Sequence, residues 1–241
     1  MVEVITVDHL TKYHHTTCVL HDLSFSVQSG EVFGLLGPDG AGKTTLLRTL
    51  LGFLKPDTGC IRLFDLQVPN HSSVINTDIG YISNQVSFYR YVTGYQMLSY
   101  LSKLRGNALY AFDELVHLFE IPLHEKIHRY HPELKQKLNI IQAFMHEPAV
   151  VLMDDPVRLL NDEDRKIFFS LLAEQKKKGA TMVFASGDFD ELALICDRIG
   201  LLHNGVLLVV DTVEGLRKTK DTLLAPGKND GQTCLSAGEH V

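Results

Sequence analysis

Two stretches of this chain combine residue types suited to phosphate chemistry. The first, Gly37-Pro38-Asp39-Gly40-Ala41-Gly42-Lys43-Thr44-Thr45, fits the pattern G-x-x-x-x-G-K-[S/T]. Its glycines let the backbone curl so that N–H groups converge on phosphate oxygens, and a helix N-terminus adds a partial positive charge. In such a loop Lys43 reaches the terminal phosphates and the Thr44 hydroxyl holds Mg²⁺. The second stretch, Val150-Val151-Leu152-Met153-Asp154-Asp155-Pro156, is an apolar run that ends in two carboxylates. Asp154 suits the metal side of a triphosphate, and Asp155 suits the positioning or deprotonation of water. The pair implies a chain that binds a nucleoside triphosphate, or one descended from such a chain.

Both stretches need strands to hold them. Val32-Phe33-Gly34-Leu35-Leu36 is a short apolar run that feeds the glycine-rich turn, and Leu46 to Leu51 reads as the helix beyond it. Glu3 to Val7, Val19 to Val27, Cys60 to Phe64, Val150 to Met153 and Thr181 to Ala185 read as further strands. Val150 to Met153 has the unbroken apolar character of a strand covered on both faces. Tyr95 to Leu104, Tyr110 to Phe119 and Leu134 to Met145 read as helices. A later helix carries its own punctuation: Asn161 as cap, Asp162, Glu163 and Asp164 in the first turn, Lys176 to Lys178 and Gly179 at its end. Phe189 to Cys196 reads as a helix, and Ile199 to Val210 as a hairpin turned at Asn204-Gly205, a type I′ dipeptide. Strand–helix alternation interrupted by helices implies an α/β core at the two ends of the chain and a helical lobe between them.

Composition narrows the class. The chain has 241 residues and a formal charge of −6, which gives no electrostatic footprint for nucleic acid. No apolar run approaches the ~20 residues of a membrane span, and Met1-Val2-Glu3-Val4 opens no signal peptide. Cys18, Cys60, Cys196 and Cys234 are scattered and read as reduced thiols of a cytosolic chain. A link to a membrane is expected only through a partner.

The chain resembles the nucleotide-binding domains of ABC transporters. The resemblance covers about residues 2–217 and rests on Tyr13, on the phosphate loop, and on I-G-Y-I at 79–82. Y-H-P-E-L-K-Q-K-L at 130–138, V-V-L-M-D-D-P at 150–156 and A-S-G-D-F-D-E at 185–191 complete it. Loop wording at 50–59 and 196–202 looks most like the subfamily serving ABC-2-type exporters. The resemblance implies a P-loop NTPase core (a mixed sheet with flanking helices), an antiparallel β subdomain and an inserted α-helical subdomain. The domain would span 1–217, with its core at 1–85 and 149–217, its helical subdomain at 86–148 and a flexible tail at 218–241. It further implies ATP and Mg²⁺ as ligands, with Tyr13 against adenine and Gln85 as the glutamine of its loop. Partners would be a separate membrane permease at the cytoplasmic face and a second nucleotide-binding domain, either a copy or another chain.

The departures from the family pattern are specific. Where its signature has serine and glycines, this chain has His131, Pro132 and Glu133. Pro132 offers no N–H, and a Glu133 carboxylate ~5 Å from a phosphate would be repelled by roughly 3 kcal/mol at an effective dielectric of ~20. As a helix start, though, His-Pro-Glu is favourable. Asp155 stands where a longer Glu is usual, and Gly187 where the family has a phosphate-sensing histidine. Asn84 stands at the glutamine position with Gln85 one place late, and the family's next aspartate aligns with Asn161 or Asp162. These residues imply that ATP is bound and turned over slowly. The other reading is a non-hydrolysing, regulatory pseudo-ATPase.

Three more stretches bear on function. His124-Glu125-Lys126-Ile127-His128 matches H-E-x-x-H, but it lies between Pro122 and Pro132, too short a span for the helix that zinc chemistry requires. It reads as a solvated link. His14 and His15 read as exposed loop without a role. Phe88, Tyr89 and Tyr91 follow the glutamine loop, and either dock a permease or pack within the helical lobe.

Overall fold

The computed structural model describes residues 2–104 and 111–223. The chain opens with β1 (Glu3–His14), β2 (Thr17–Gln28) and β3 (Val32–Leu36), then α1 (Lys43–Leu50), β4 (Thr58–Leu63), β5 (Leu66–Val68), α2 (Ser72–Ile75) and β6 (Ile79–Ile82). Helices α3 (Gly94–Leu104), α4 (Phe112–Phe119) and α5 (Pro132–Phe144) follow before β7 (Val150–Asp154). The remainder is α6 (Asp162–Lys177), β8 (Thr181–Ser186), α7 (Phe189–Ala193), β9 (Arg198–His203), β10 (Val206–Thr212) and α8 (Val213–Leu223).

Two sheets result. An antiparallel sheet runs β2-β1-β4-β5, and a mixed six-stranded sheet runs β10-β9-β3-β8-β7-β6. In the second sheet β6, β7, β8, β3 and β9 are parallel, and only β10 turns back against β9. Side-chain alternation explains why its central strands read as unbroken apolar runs. Val150 and Leu152 enter the core shared with the antiparallel sheet, while Val151 and Met153 enter the core beneath the helices. Val183 and Ala185 on β8 divide from Met182 and Phe184 in the same way. Each fully buried side chain of this kind contributes about 1.5–3 kcal/mol. Helix α5 lies close enough to β6 that a Cβ at Gly80 would stand 2.2 Å from the Ala143 carbonyl oxygen. Any larger residue there would push the helix off the sheet.

The fold is α/β, with a mixed sheet, an antiparallel sheet and helices placed between β6 and β7. Asn161 caps α6 by accepting the Asp164 amide at 2.9 Å. Asn204 and Gly205 both take positive φ, 47° and 76°, as a type I′ turn requires. Several bounds differ from expectation. Strand β1 continues past Val7 to His14, carried through register shifts in its pairing with β2 that break the simple alternation. Helix α7 stops at Ala193, and Cys196 is buried instead of helical. Short β5 and α2 were not expected. The loose tail was expected from residue 218, yet α8 remains helical through Leu223. Tyr110, Cys234 and the rest of that tail, 224–241, lie outside the described residues. Among the described residues, no helix is long and apolar enough to cross a membrane.

Candidate functional site: a phosphate loop and its acidic strand

Strand β3 delivers the chain into the loop, and the loop's last glycine makes the turn into α1. Gly42 adopts φ 107°, a conformation closed to side-chain-bearing residues at low cost, and stands immediately before Lys43. A cleft of about 370 Å³ lies over this loop, lined by residues 38–45 with Val19, Asn84, Asp155 and Arg158. Gly37, just before that lining, packs against β9, since a Cβ there would stand 2.4 Å from the Leu202 carbonyl oxygen. Lys43 is buried, and its Nζ donates to the carbonyl oxygens of Gly37 at 2.6 Å and Pro38 at 3.2 Å. The ammonium thus lies across the loop it belongs to.

The parallel sheet brings the acidic residues alongside. Thr44 Oγ1 donates to Asp154 Oδ2 at 2.8 Å, joining the start of α1 to the end of β7. The other oxygen, Asp154 Oδ1, is buried without a hydrogen-bond partner among the described residues. A buried carboxylate oxygen left unpaired costs free energy unless something positive faces it. Burial pushes the Asp154 carboxyl above its ordinary value, against the pull of the Thr44 hydroxyl. A hydroxyl and an unpaired carboxylate oxygen beside a phosphate loop fit the oxygen-only, partly hydrated coordination of Mg²⁺.

Asp155 follows at φ 46°, a left-handed conformation that Asp tolerates better than most residues. Its amide donates to the Ala185 carbonyl at 2.9 Å, which aims the side chain into the cleft. Burial raises this carboxyl too, while Lys43, Arg158 and the Gly187 amide hold it down. Gly187 borders an adjoining cavity of about 330 Å³. A Cβ there would meet only the Gly37 carbonyl oxygen, at 3.5 Å, so the missing side chain is not excluded by packing.

The remaining expected site residues fall in different places. Tyr13 is half-exposed on β1 and pairs with Cys18, next to Val19 at the cleft edge. Asn84 lines the cleft, whereas Gln85 is exposed and outside that lining. His131, Pro132 and Glu133 also lie outside it. They begin α5, with Pro132 in its first turn and Glu133 as its acidic first-turn residue. Glu133 does not hang free: Oε1 accepts from Asn161 Nδ2 at 3.1 Å and lies 3.7 Å from Lys137 Nζ. Lys137 in turn meets Asp164 at 2.8 Å, a pair with 12% and 6% side-chain exposure. These partners offset part of the repulsion expected from the Glu133 charge.

The H-E-x-x-H stretch is not one helix. Only Ile127–Arg129 makes a 3₁₀ turn, His124 stacks on Tyr95, and His128 meets the Arg90 carbonyl at 3.0 Å. Among the described residues no group of three or more His, Cys, Asp or Glu is placed to hold a metal.

One positioning element went unread in the sequence. Gln136, Asn139 and Gln142 form an amide row along α5 that donates to the carbonyls of Pro156, Ser83 and Tyr81. The row ties α5 both to the turn after Asp155 and to the segment carrying Asn84. Its signal was three amides at a spacing of three residues along one helix.

The description of the family whose model matches residues 20–158 is ABC transporter. The bacitracin transport ATP-binding protein BcrA of Enterococcus faecalis is 32% identical over 223 residues, covering 90% of this chain and 72% of BcrA. The uncharacterized ABC transporter ATP-binding protein YhcH of Bacillus subtilis is 30% identical over 218 residues, covering 89% of this chain and 72% of YhcH. A solved structure of the ATP-binding subunit of an ABC transporter superposes with a TM-score of 0.84 at 25% identity, covering 94% of this chain and 96% of that one. With its phosphate loop and acidic strand set in that fold, the chain belongs to the ABC transporter family, as an ATP-binding subunit.

Proposed function

We propose that this subunit serves an ABC-2-type exporter, as one of two paired cassettes docked on a separate permease at the cytoplasmic face of the membrane. The bacitracin transport named for BcrA and the loop wording at 50–59 and 196–202 support the exporter reading. Tyr89 and Tyr91, 71% and 79% exposed, suit a permease contact, while the neighbouring Phe88 packs on the helical core.

In this reading the loop amides and Lys43 hold the phosphates of ATP, and Tyr13 contributes a face to adenine. Asn84 replaces Gln85 as the residue of its loop that faces the nucleotide, because it lines the cleft. Thr44, and Asp154 through water, would hold Mg²⁺, which when bound would screen phosphate charge. Asp155 orients the attacking water and accepts its proton. Turnover is slow, because Asp155 is short, Gly187 supplies no side chain and Pro132 supplies no amide.

The single observation that carries this reading is the Thr44–Asp154 bond beside the unpaired Asp154 Oδ1. It keeps the binding half of the site ready for a metal-bound triphosphate. A second reading, a regulatory module that binds ATP without hydrolysing it, is favoured by the bare Gly187. Titration of the chain with ATP, with and without Mg²⁺, tests the binding. Mg²⁺-dependent binding lost in Lys43→Ala supports it, and absence of binding refutes it. Phosphate release above the Lys43→Ala background separates slow hydrolysis from none. Co-purification with a polytopic membrane protein tests the docking.

A further inference from the structure

The cleft contains a second cation. Arg158 lines it together with Lys43, and also lines the adjoining cavity at Gly187. The guanidinium therefore stands where the two spaces meet. The turn after β7 puts it there: the Arg158 amide donates to the Asp155 carbonyl at 3.3 Å, and Nη1 reaches Asn84 Oδ1 at 3.4 Å. That side-chain bond is long, and its acceptor is neutral. An incoming anion would compete for the exposed guanidinium on favourable terms.

The charges of the lining leave this residue a definite task. Asp39 and Asp155 put two carboxylates near any phosphate, and Lys43 and Arg158 are the cations of the same lining. Lys43 lies low, against the carbonyls of Gly37 and Pro38. Nothing projects from Gly187 across the neighbouring space. Arg165, which also lines the adjoining cavity, is held by the Leu160 carbonyl and Glu191, which leaves Arg158 as the cation to meet the outer end of a bound triphosphate.

We propose that Arg158 is a phosphate-binding residue that grips the terminal phosphate and makes the site prefer ATP to ADP. Its planar fork engages two phosphate oxygens at once, which an ammonium cannot reproduce. The assignment rests on the ATP-binding reading above.

The test is titration of the full chain with Mg²⁺ and either ADP or the non-hydrolysable β,γ-imido analogue of ATP. Wild type, Arg158→Ala, Arg158→Lys and Lys43→Ala are compared. The expected result for Arg158→Ala is triphosphate affinity weakened about tenfold or more, with ADP affinity changed less than about threefold. Arg158→Lys should recover only part of the loss. Equal losses for both nucleotides, or no loss, while Lys43→Ala abolishes binding, would overturn the role of Arg158 and leave the ATP reading standing. A wild-type chain that binds neither nucleotide would overturn both.

Discussion

Asp155→Glu is expected to raise ATP turnover about 10- to 100-fold. The backbone at this position is pinned on both sides, by the Asp155 amide on Ala185 and by the Arg158 amide on the Asp155 carbonyl. The reach of the carboxylate is therefore set by side-chain length. One methylene advances it by about 1.5 Å, and a misplacement of about 1 Å can cost 10²-fold in rate. The gain is opposed by the φ of 46°, where Asp is better tolerated than Glu. That strain costs about 1 kcal/mol and lowers the melting temperature by about 2–4 °C. The assay is Mg²⁺-dependent phosphate release from ATP, with Lys43→Ala as background, alongside a thermal melt of each variant. A variant that stays folded, binds ATP like wild type and shows unchanged turnover would refute the claim that carboxylate reach limits the reaction.

Further outcomes follow from named contacts. Asp154→Asn should abolish the Mg²⁺-linked tightening of ATP binding, measured by titration with and without chelator, and raise metal-free stability at neutral pH. Burial raises the Asp154 carboxyl in the folded chain, so its charge opposes folding at neutral pH and that penalty falls away as acid protonates it. By the same sign, Mg²⁺-linked binding in the wild type should fade as pH drops through this raised value, above the ordinary carboxylate range, and a flat pH profile would count against it. Lys137→Met strips the buried Asp164 of its cation and should cost about 3 kcal/mol in urea denaturation. Asn161 still donates to Asp164 at 2.9 Å, so a smaller loss would show the amide to be the main support. Gly187→His should leave the melting temperature within about 2 °C of wild type, since a Cβ there meets only the Gly37 carbonyl oxygen, at 3.5 Å. A drop well beyond that would show the space to be closed.

Elements with local chemistry of their own were legible in the sequence. The Asn161 cap, the Asn204-Gly205 turn and the apolar run of β7 each follow from residues adjacent in the chain. Pro132 and Glu133 likewise announced the start of α5. What escaped depends on contacts between distant segments. Asn161 reaches Glu133, and Lys137 reaches Asp164, only because α5 and α6 begin side by side. The placement of Asn84 over Gln85 at the cleft comes from the path of the chain after β6, which a one-residue ambiguity in the motif could not settle. Strand β1 outran its expected end because its register shifts hide the alternation that marks a strand. Arg158 is one charged residue in a turn, and only the fold sets it against both cavities.

The central claim is that this site holds ATP far better than it hydrolyses it. The most direct measurement is affinity for ATP with Mg²⁺ together with steady-state turnover, on the same purified chain. The account predicts saturable binding that Lys43→Ala removes, with turnover well below about 1 s⁻¹, the low end of ordinary enzyme rates. Turnover of about 1 s⁻¹ or more, abolished by Lys43→Ala, would contradict it.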